Sequence, residues 1–356
     1  MLSKDISKKI LTIGPDNSGE GGGISSILNT YKNFVYSTYY FEKSTSSKGK
    51  LFSLLALAKL FYMIPYYVFV KKIQVIHFHG ASENSFKRKR LLIYYSFLFP
   101  VKLIYHLHGG NFKVFTERYG IKKVKNTFYR CERVIVLSDM WENYINTEIG
   151  YLKTSIINNV IPEPDYICPT NIHNNILTFM FLGLLNDQKG IFDLINLIVS
   201  NKNYFEGRIK LIIGGMGEVN RLNKIITDYR LDKIVEFVGW INGKEKEHLF
   251  NHSDIFILPS YIEALPISIL EAMSYGKAII STNVGSIPTL VKHGQNGFLF
   301  NPGNLDELKG HINSFLYDRS IIKNFGSYSE IIIKDYFPEF VSIQLEKMYN
   351  NVFVSH

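Results

Sequence analysis

The chain has 356 residues, 46% of them hydrophobic and 20% charged, which is an ordinary globular balance with room for two domains and excludes a disordered or fibrous chain. Its formal net charge of +9 favours anionic partners: phosphate groups, nucleic acid or an acidic membrane surface. Two cysteines, Cys131 and Cys168, lack metal-ligand spacing and read as free thiols in a reducing compartment, which points to the cytoplasm.

Residues 9–13 (KILTI) predict a first strand, and their apolar run is too short for a signal-peptide core. A glycine-rich run follows and opens a helix. Gly21, Gly22 and Gly23 let the backbone approach a ligand without a Cβ in the way, and the helix start offers N–H groups to an anion. The spacing is not a dinucleotide fingerprint, and a turn without a ligand is the alternative. Residues 51–70 have the length of a membrane span. Lys59 near the middle of that run would cost about 2.5–3.5 kcal/mol on insertion scales, and Pro65 interrupts it. A strand-like run follows at once, so a buried or interfacial crossover helix is expected.

Residues 73–80 (IQVIHFHG) and 101–110 (VKLIYHLHGG) predict two strands ending in His77 and His79, and in His106 and His108. Alternation puts each pair on one face. No cysteine or acid lies in either run, so no metal site is expected, and each histidine could simply be satisfied within the fold. His108, followed by two glycines, is the candidate for a ligand-facing residue. Between these strands, Lys87, Arg88, Lys89 and Arg90 precede an aromatic, apolar helix. That arrangement suits an anionic bilayer surface and equally a solvated helix start over core aromatics. No recognition motif accompanies the charge, so nucleic acid is not expected as a partner. A further strand is predicted at 133–137, and a polar, proline-bearing linker at 163–175.

The second half alternates again. Strands are predicted at 176–183, 209–215, 234–239, 254–259 and 277–282, with helical patterns between them, which gives a second parallel, doubly wound sheet. Three strand-end loops could carry chemistry. Lys189 stands just before a helix, Gly215 lies in a tight GGMGE turn, and Gly285 opens a further turn. The stretch Pro259 to Gly276 reads as loop then helix behind a buried strand. It carries Glu263 and Glu271 eight positions apart, with Ala264, Leu265 and Pro266 between them. The helix start suits phosphate, and the carboxylates accept hydrogen bonds from sugar hydroxyls. The combination suits a nucleotide-sugar, whereas solvated glutamates and a solvated lysine are the bland reading.

The runs GLLNDQKGIFDL, LIIGGMGE, VEFVGW, SDIFILPSYIEALPISILEAMSYGKAIISTNVGSIP and HGQNGFLF resemble the retaining glycosyltransferases of family 4. The first half is similar more loosely, through GGGIS, HFHG, HLHGG and NNVIP. The resemblance implies an α/β GT-B fold: two doubly wound Rossmann-like domains facing across a cleft. Residues 1–165 would form an acceptor-side domain and 166–336 a nucleotide-sugar domain, with 337–356 a helix crossing back onto the first. It implies that Glu271 holds the ribose, that Glu263 holds sugar hydroxyls, and that Ala264, Leu265 and Pro266 form the loop against sugar and diphosphate. Lys189 would stabilise the leaving diphosphate, Gly22 and Gly23 would approach it, and His108 would sit by the sugar. Leu184 stands where the family usually has arginine, Ala264 where it has glycine, and Thr289 where an acid is common.

The expected activity is metal-independent transfer of a hexose, with retention, from a UDP-sugar to a hydroxyl of a growing surface polysaccharide, free or lipid-linked. No cofactor is expected. The expected location is cytoplasmic, extending to the inner face of the cell membrane. The alternatives are a non-catalytic partner subunit, motivated by Leu184, and a sugar-nucleotide epimerase on the same architecture.

Overall fold

The computed structural model describes residues 1–17, 22–168 and 175–354; Gly21 and residues 169–174 of the expected linker lie outside the described residues. The chain forms two compact units, Met1–Pro162 together with Asp335–His356, and Glu163–Lys334.

In the first unit the strands are β1 (Ile10–Gly14), β2 (Tyr40–Lys43), β3 (Val75–Gly80), β4 (Lys102–Leu107), β5 (Arg133–Val136) and β6 (Thr154–Ile156). They pair in the order β2-β1-β3-β4-β5-β6, every pair parallel. Parallel neighbours need crossover segments, and α1 (Gly23–Thr30), α2 (Lys50–Phe69) and α3 (Glu83–Ser96) supply the first of them. One face of the sheet packs a continuous apolar core in which Leu11, Phe78, Tyr105 and Val134 meet Ile64 of α2 and Phe86 of α3. The edge strands β2 and β6 are short and half-buried, so neither shows the apolar run that marks the central strands.

The second unit repeats the plan. Its strands are β7 (Leu177–Leu182), β8 (Ile209–Gly214), β9 (Val235–Gly239), β10 (Ile255–Leu258), β11 (Ala278–Thr282) and β12 (Gly297–Phe300). The order is β12-β11-β10-β7-β8-β9, again all parallel. Strand order reverses between β7 and β10, and at such a switch point the loops leaving the carboxyl ends diverge and open a ligand crevice. Three helices of this unit bear on the site: α4 (Ile191–Ser200), α5 (Gly243–Asn251) and α6 (Ile267–Ser274). The chain then returns to the first unit as α7 (Pro338–Val354). There the Tyr349 hydroxyl lies 2.5 Å from that of Tyr36 and 2.6 Å from His77 Nδ1.

Candidate functional site

The site of the second unit is built from the two loops that leave the switch point. After β7, Asn186 caps a short turn by accepting the Lys189 backbone N–H at 3.0 Å, and α4 follows directly. After β10, the loop Pro259–Pro266 turns back before α6. The two loops are tied, because the Tyr261 N–H donates to the Gln188 carbonyl at 2.8 Å. From the other side β11 holds the second loop, through Thr282 Oγ1 donating to the Ser260 carbonyl at 2.6 Å and Ser281 Oγ to that of Leu258 at 2.7 Å.

This clamping places Glu263 in a buried position, where its Oε1 accepts from Ser260 Oγ at 2.9 Å and pairs with Lys189 Nζ. An acid and a base thus meet at the ends of neighbouring strands. The lysine side chain keeps 27% of its surface exposed, the glutamate 9%, so the ammonium can reach an incoming anion without leaving its carboxylate far behind. Ala264 and Leu265 are buried, and Pro266 caps α6. The first bond within the helix is Leu270 N–H to the Pro266 carbonyl at 3.3 Å, so the N–H groups of Ile267, Ser268 and Ile269 at the helix start have no intrahelical partner. Glu271, one turn further in, pairs with Lys246 of α5 through Oε1 at 2.7 Å. Glu271 keeps a second oxygen with which to accept hydroxyls.

Two glycines make the close approaches possible. Gly215 (φ 153°) follows β8, and a Cβ there would overlap the Gly183 carbonyl. Gly285 (φ 56°) sits so near the Glu263 carbonyl that a Cβ would overlap it, while the Ser286 N–H fixes the next carbonyl, that of Ala264, at 2.9 Å. Gly285→Ala is therefore expected to cost roughly 2–4 kcal/mol, read as a fall in the midpoint of thermal unfolding. An unchanged midpoint would show that the loop has room.

Leu184 is exposed and adds no charge. Of the two cations considered as substitutes for the missing arginine, Arg221 pairs with Asp187 at 2.9 Å and Glu218 at 3.0 Å and lies over the Phe192 ring. Lys292 Nζ donates to the Pro288 carbonyl at 3.0 Å. Arg221 thus braces the Lys189 turn through Asp187. Sequence reasoning missed Ser260 and Lys246. Lys246 sits in the charged run GKEKE, where nothing singles it out.

In the first unit Gly22 and Gly23 form the exposed start of α1. His108 follows β4, its Nε2 3.0 Å from His79 Nδ1. Burial pushes His108 and His77 down to about 3 and holds His79 and His106 well below the usual imidazole range, with the neighbouring imidazoles adding to the effect. All four rings are therefore neutral at physiological pH, and His108 can donate or accept but not supply charge. His77, His79 and His106 bring one ring nitrogen each within 4.8 Å of one another. The rings of the three lie at 10–38° to one another. The group is a packed ladder on the sheet.

The basic run requires a correction. Lys89 is fully buried and donates to Ser44 Oγ at 2.5 Å, and burial pulls its ammonium down to about 7. Arg88 is half-buried, and Arg90 folds over the Tyr94 ring. Only Lys87 of the four is exposed, so the segment 87–90 is not a free basic surface. The reason is helical phase, since Phe86, Lys89, Leu92, Ile93 and Ser96 share the inward face of α3.

Residues 167–331 match the family Glycosyl transferases group 1. The chain is 23% identical over 310 residues to a 41.2 kDa protein in the cps region of Klebsiella pneumoniae, covering 79% of this chain and 83% of that one. It is 24% identical over 232 residues to the lipopolysaccharide 1,6-galactosyltransferase of Salmonella typhimurium, covering 64% of this chain and 62% of that one. The crystal structure of Anabaena HepE in complex with UDP superposes with a TM-score of 0.76 at 21% identity, covering 96% of this chain and 100% of that one. The fold is GT-B. The second unit carries a glycosyltransferase group 1 domain, and the chain is a transferase.

Proposed function

We propose that the protein transfers a hexose from a UDP-sugar to a hydroxyl of a growing surface polysaccharide, with retention of anomeric configuration, as the family 4 resemblance implies. The observation that carries this reading is the Lys189–Glu263 pair at the switch point, with Glu271 eight residues on. The UDP in the Anabaena structure and the galactosyl transfer named for the Salmonella relative support the donor and acceptor classes. Glu271 Oε2 accepts ribose hydroxyls, the α6 N-terminus and Lys189 take the diphosphate, and Glu263 accepts hydroxyls of the sugar. No resident metal or cofactor takes part.

In the reaction the bond from the anomeric carbon to the β-phosphate oxygen breaks and its electron pair stays on the phosphate. The acceptor oxygen bonds to the same carbon, and its proton passes to the departing phosphate. Such a reaction asks the protein chiefly for charge stabilisation and alignment. Leu184 favours one second reading, a partner subunit that binds the donor without turning it over. Incubating purified protein with UDP-hexoses separates the two, because a transferase releases UDP by transfer or slow hydrolysis and a pure binding partner releases none. In a thermal-shift assay UDP should stabilise the wild type. Glu271→Ala is expected to lose most of that shift, and a full shift in the variant would remove the ribose assignment.

A further inference from the structure

Helix α2 has two apolar sides, and the fold uses one. Leu60, Ile64 and Val68 point into the core of the first unit. On the opposite side Leu51, Leu55, Ala58, Tyr62, Tyr66 and Phe69 recur at three- and four-residue spacing. All six are exposed, Leu51 at 67% and Tyr62 at 82%. A surface helix of a water-soluble protein places polar side chains there. The patch continues at the end of α3, where Phe61 packs on Tyr95 and Phe69 on Phe99, and Phe97 and Leu98 stand exposed beyond them.

Charge frames this face with one sign. Residues 43–82 contain no acidic side chain but hold Lys43, Lys48, Lys50, Lys59, Lys71 and Lys72. Lys48 and Lys50 flank the start of the stripe, and Lys71 and Lys72 its end. Lys59, the cation inside it, pairs with buried Glu42 at 2.9 Å, which neutralises the middle of the helix and ties it to β2. That tether and the buried Leu60–Ile64–Val68 side hold the helix against the sheet, so it cannot leave to span a bilayer without opening the core.

We propose that the outward face of α2 is a membrane-contact surface that lies flat on an anionic bilayer. Its leucines and aromatic rings enter the boundary between headgroups and acyl chains, and the flanking lysines meet lipid phosphates. The helix presents about 30 Å of length to the surface. The assignment stands on the apolar stripe and its charge frame and does not require the transferase reading. If that reading holds as well, the acceptor glycan is carried on a lipid of the same surface.

The test is co-flotation of the full chain with vesicles of phosphatidylcholine alone or mixed with phosphatidylglycerol. The wild type is expected to float with the mixed vesicles and to release as salt is raised. The variant L55E/Y62E/Y66E should bind about tenfold or more weakly, with its far-UV circular dichroism unchanged because all three side chains are exposed. A second variant, K71Q/K72Q, should lose binding to the anionic vesicles by several-fold and keep its fold. The proposal is overturned if the wild type floats with neither vesicle, or if both variants float as the wild type does. It is also overturned if sedimentation shows a dimer that L55E/Y62E/Y66E abolishes while no form binds vesicles, since the face would then meet a second copy. UDP thermal shifts on the same preparations report the donor site separately.

Discussion

Lys189→Ala is expected to lower kcat for sugar transfer about 10²–10³-fold, with little change in KM for the donor. As the bond to the diphosphate breaks, negative charge accumulates on a phosphate oxygen, and the ammonium at the end of the β7 loop would be the mobile cation beside it. Lys246 is held by Glu271, and Arg221 by Asp187 and Glu218, while position 184 contributes a leucine. If Leu184 replaces a family arginine, as the resemblance implies, Lys189, itself paired with Glu263, and the α6 N-terminus would carry the stabilisation of the leaving group. The variant also strands a buried Glu263 with Ser260 as its remaining partner, so some loss of stability is expected too. Glu263→Gln separates the two effects. It keeps the Ser260 contact and the loop, removes the charge that neutralises the lysine, and should lower turnover about tenfold with a nearly unchanged unfolding midpoint. Steady-state kinetics with UDP-hexose, corrected for folded fraction, would decide. A Lys189→Ala enzyme within about threefold of wild type would remove the lysine from the chemistry.

The first unit is expected to lose stability steeply between pH 6.5 and 4.5, ahead of the second. His77, His79, His106 and His108 form a stacked ladder on β3 and β4, faced by Tyr31, by Tyr349 of α7 and by buried Lys89 of α3. In the unfolded chain each histidine titrates near 6.5, whereas burial lowers every one of them in the folded unit. The unfolded chain therefore binds more protons below 6.5. The stability is fully present above that pH and is lost as pH falls, at up to about 1.4 kcal/mol per pH unit for each histidine. Four such groups over one unit are comparable to the whole stability of a domain, about 5–15 kcal/mol. Lys89 acts in the same direction at higher pH, because its charged form is disfavoured by burial. Among the described residues of the second unit, His311 alone shows a lowered imidazole, and it is half-buried. Denaturant unfolding at pH 7, 6 and 5, followed by hydrogen exchange in each unit, checks this. Equal stability at pH 7 and 5 would mean that the ladder accepts protons in place.

Much of the GT-B plan was legible, because strands buried on both faces read as continuous apolar runs bounded by glycine or proline; β7, β10 and β11 are examples. The strands β2, β6 and β12 escaped notice, since short, partly buried strands have no such run. Glu263, Lys189 and Glu271 stood out because helix and loop punctuation framed them. Their partners Ser260 and Lys246 did not, since each pairing joins segments that only the folded sheet brings together. Lys89 was misread from its basic neighbours, although the spacing of Phe86, Leu92 and Ser96 already assigned it to the inward face. Helix α2 was read as a buried or interfacial crossover helix; the fold makes it a crossover, and only the fold showed which of its two apolar sides the core had taken.

The first unit is assembled from both sides of the second in the chain, and this orders events on the ribosome. Residues 163–334 are one uninterrupted stretch, so the second unit can be finished while synthesis continues. The histidine ladder has to wait for Tyr349, whose hydroxyl engages His77 and Tyr36. Until α7 is made, the earlier-born half carries an open polar seam, and it is the half that nascent-chain chaperones would be expected to hold longest.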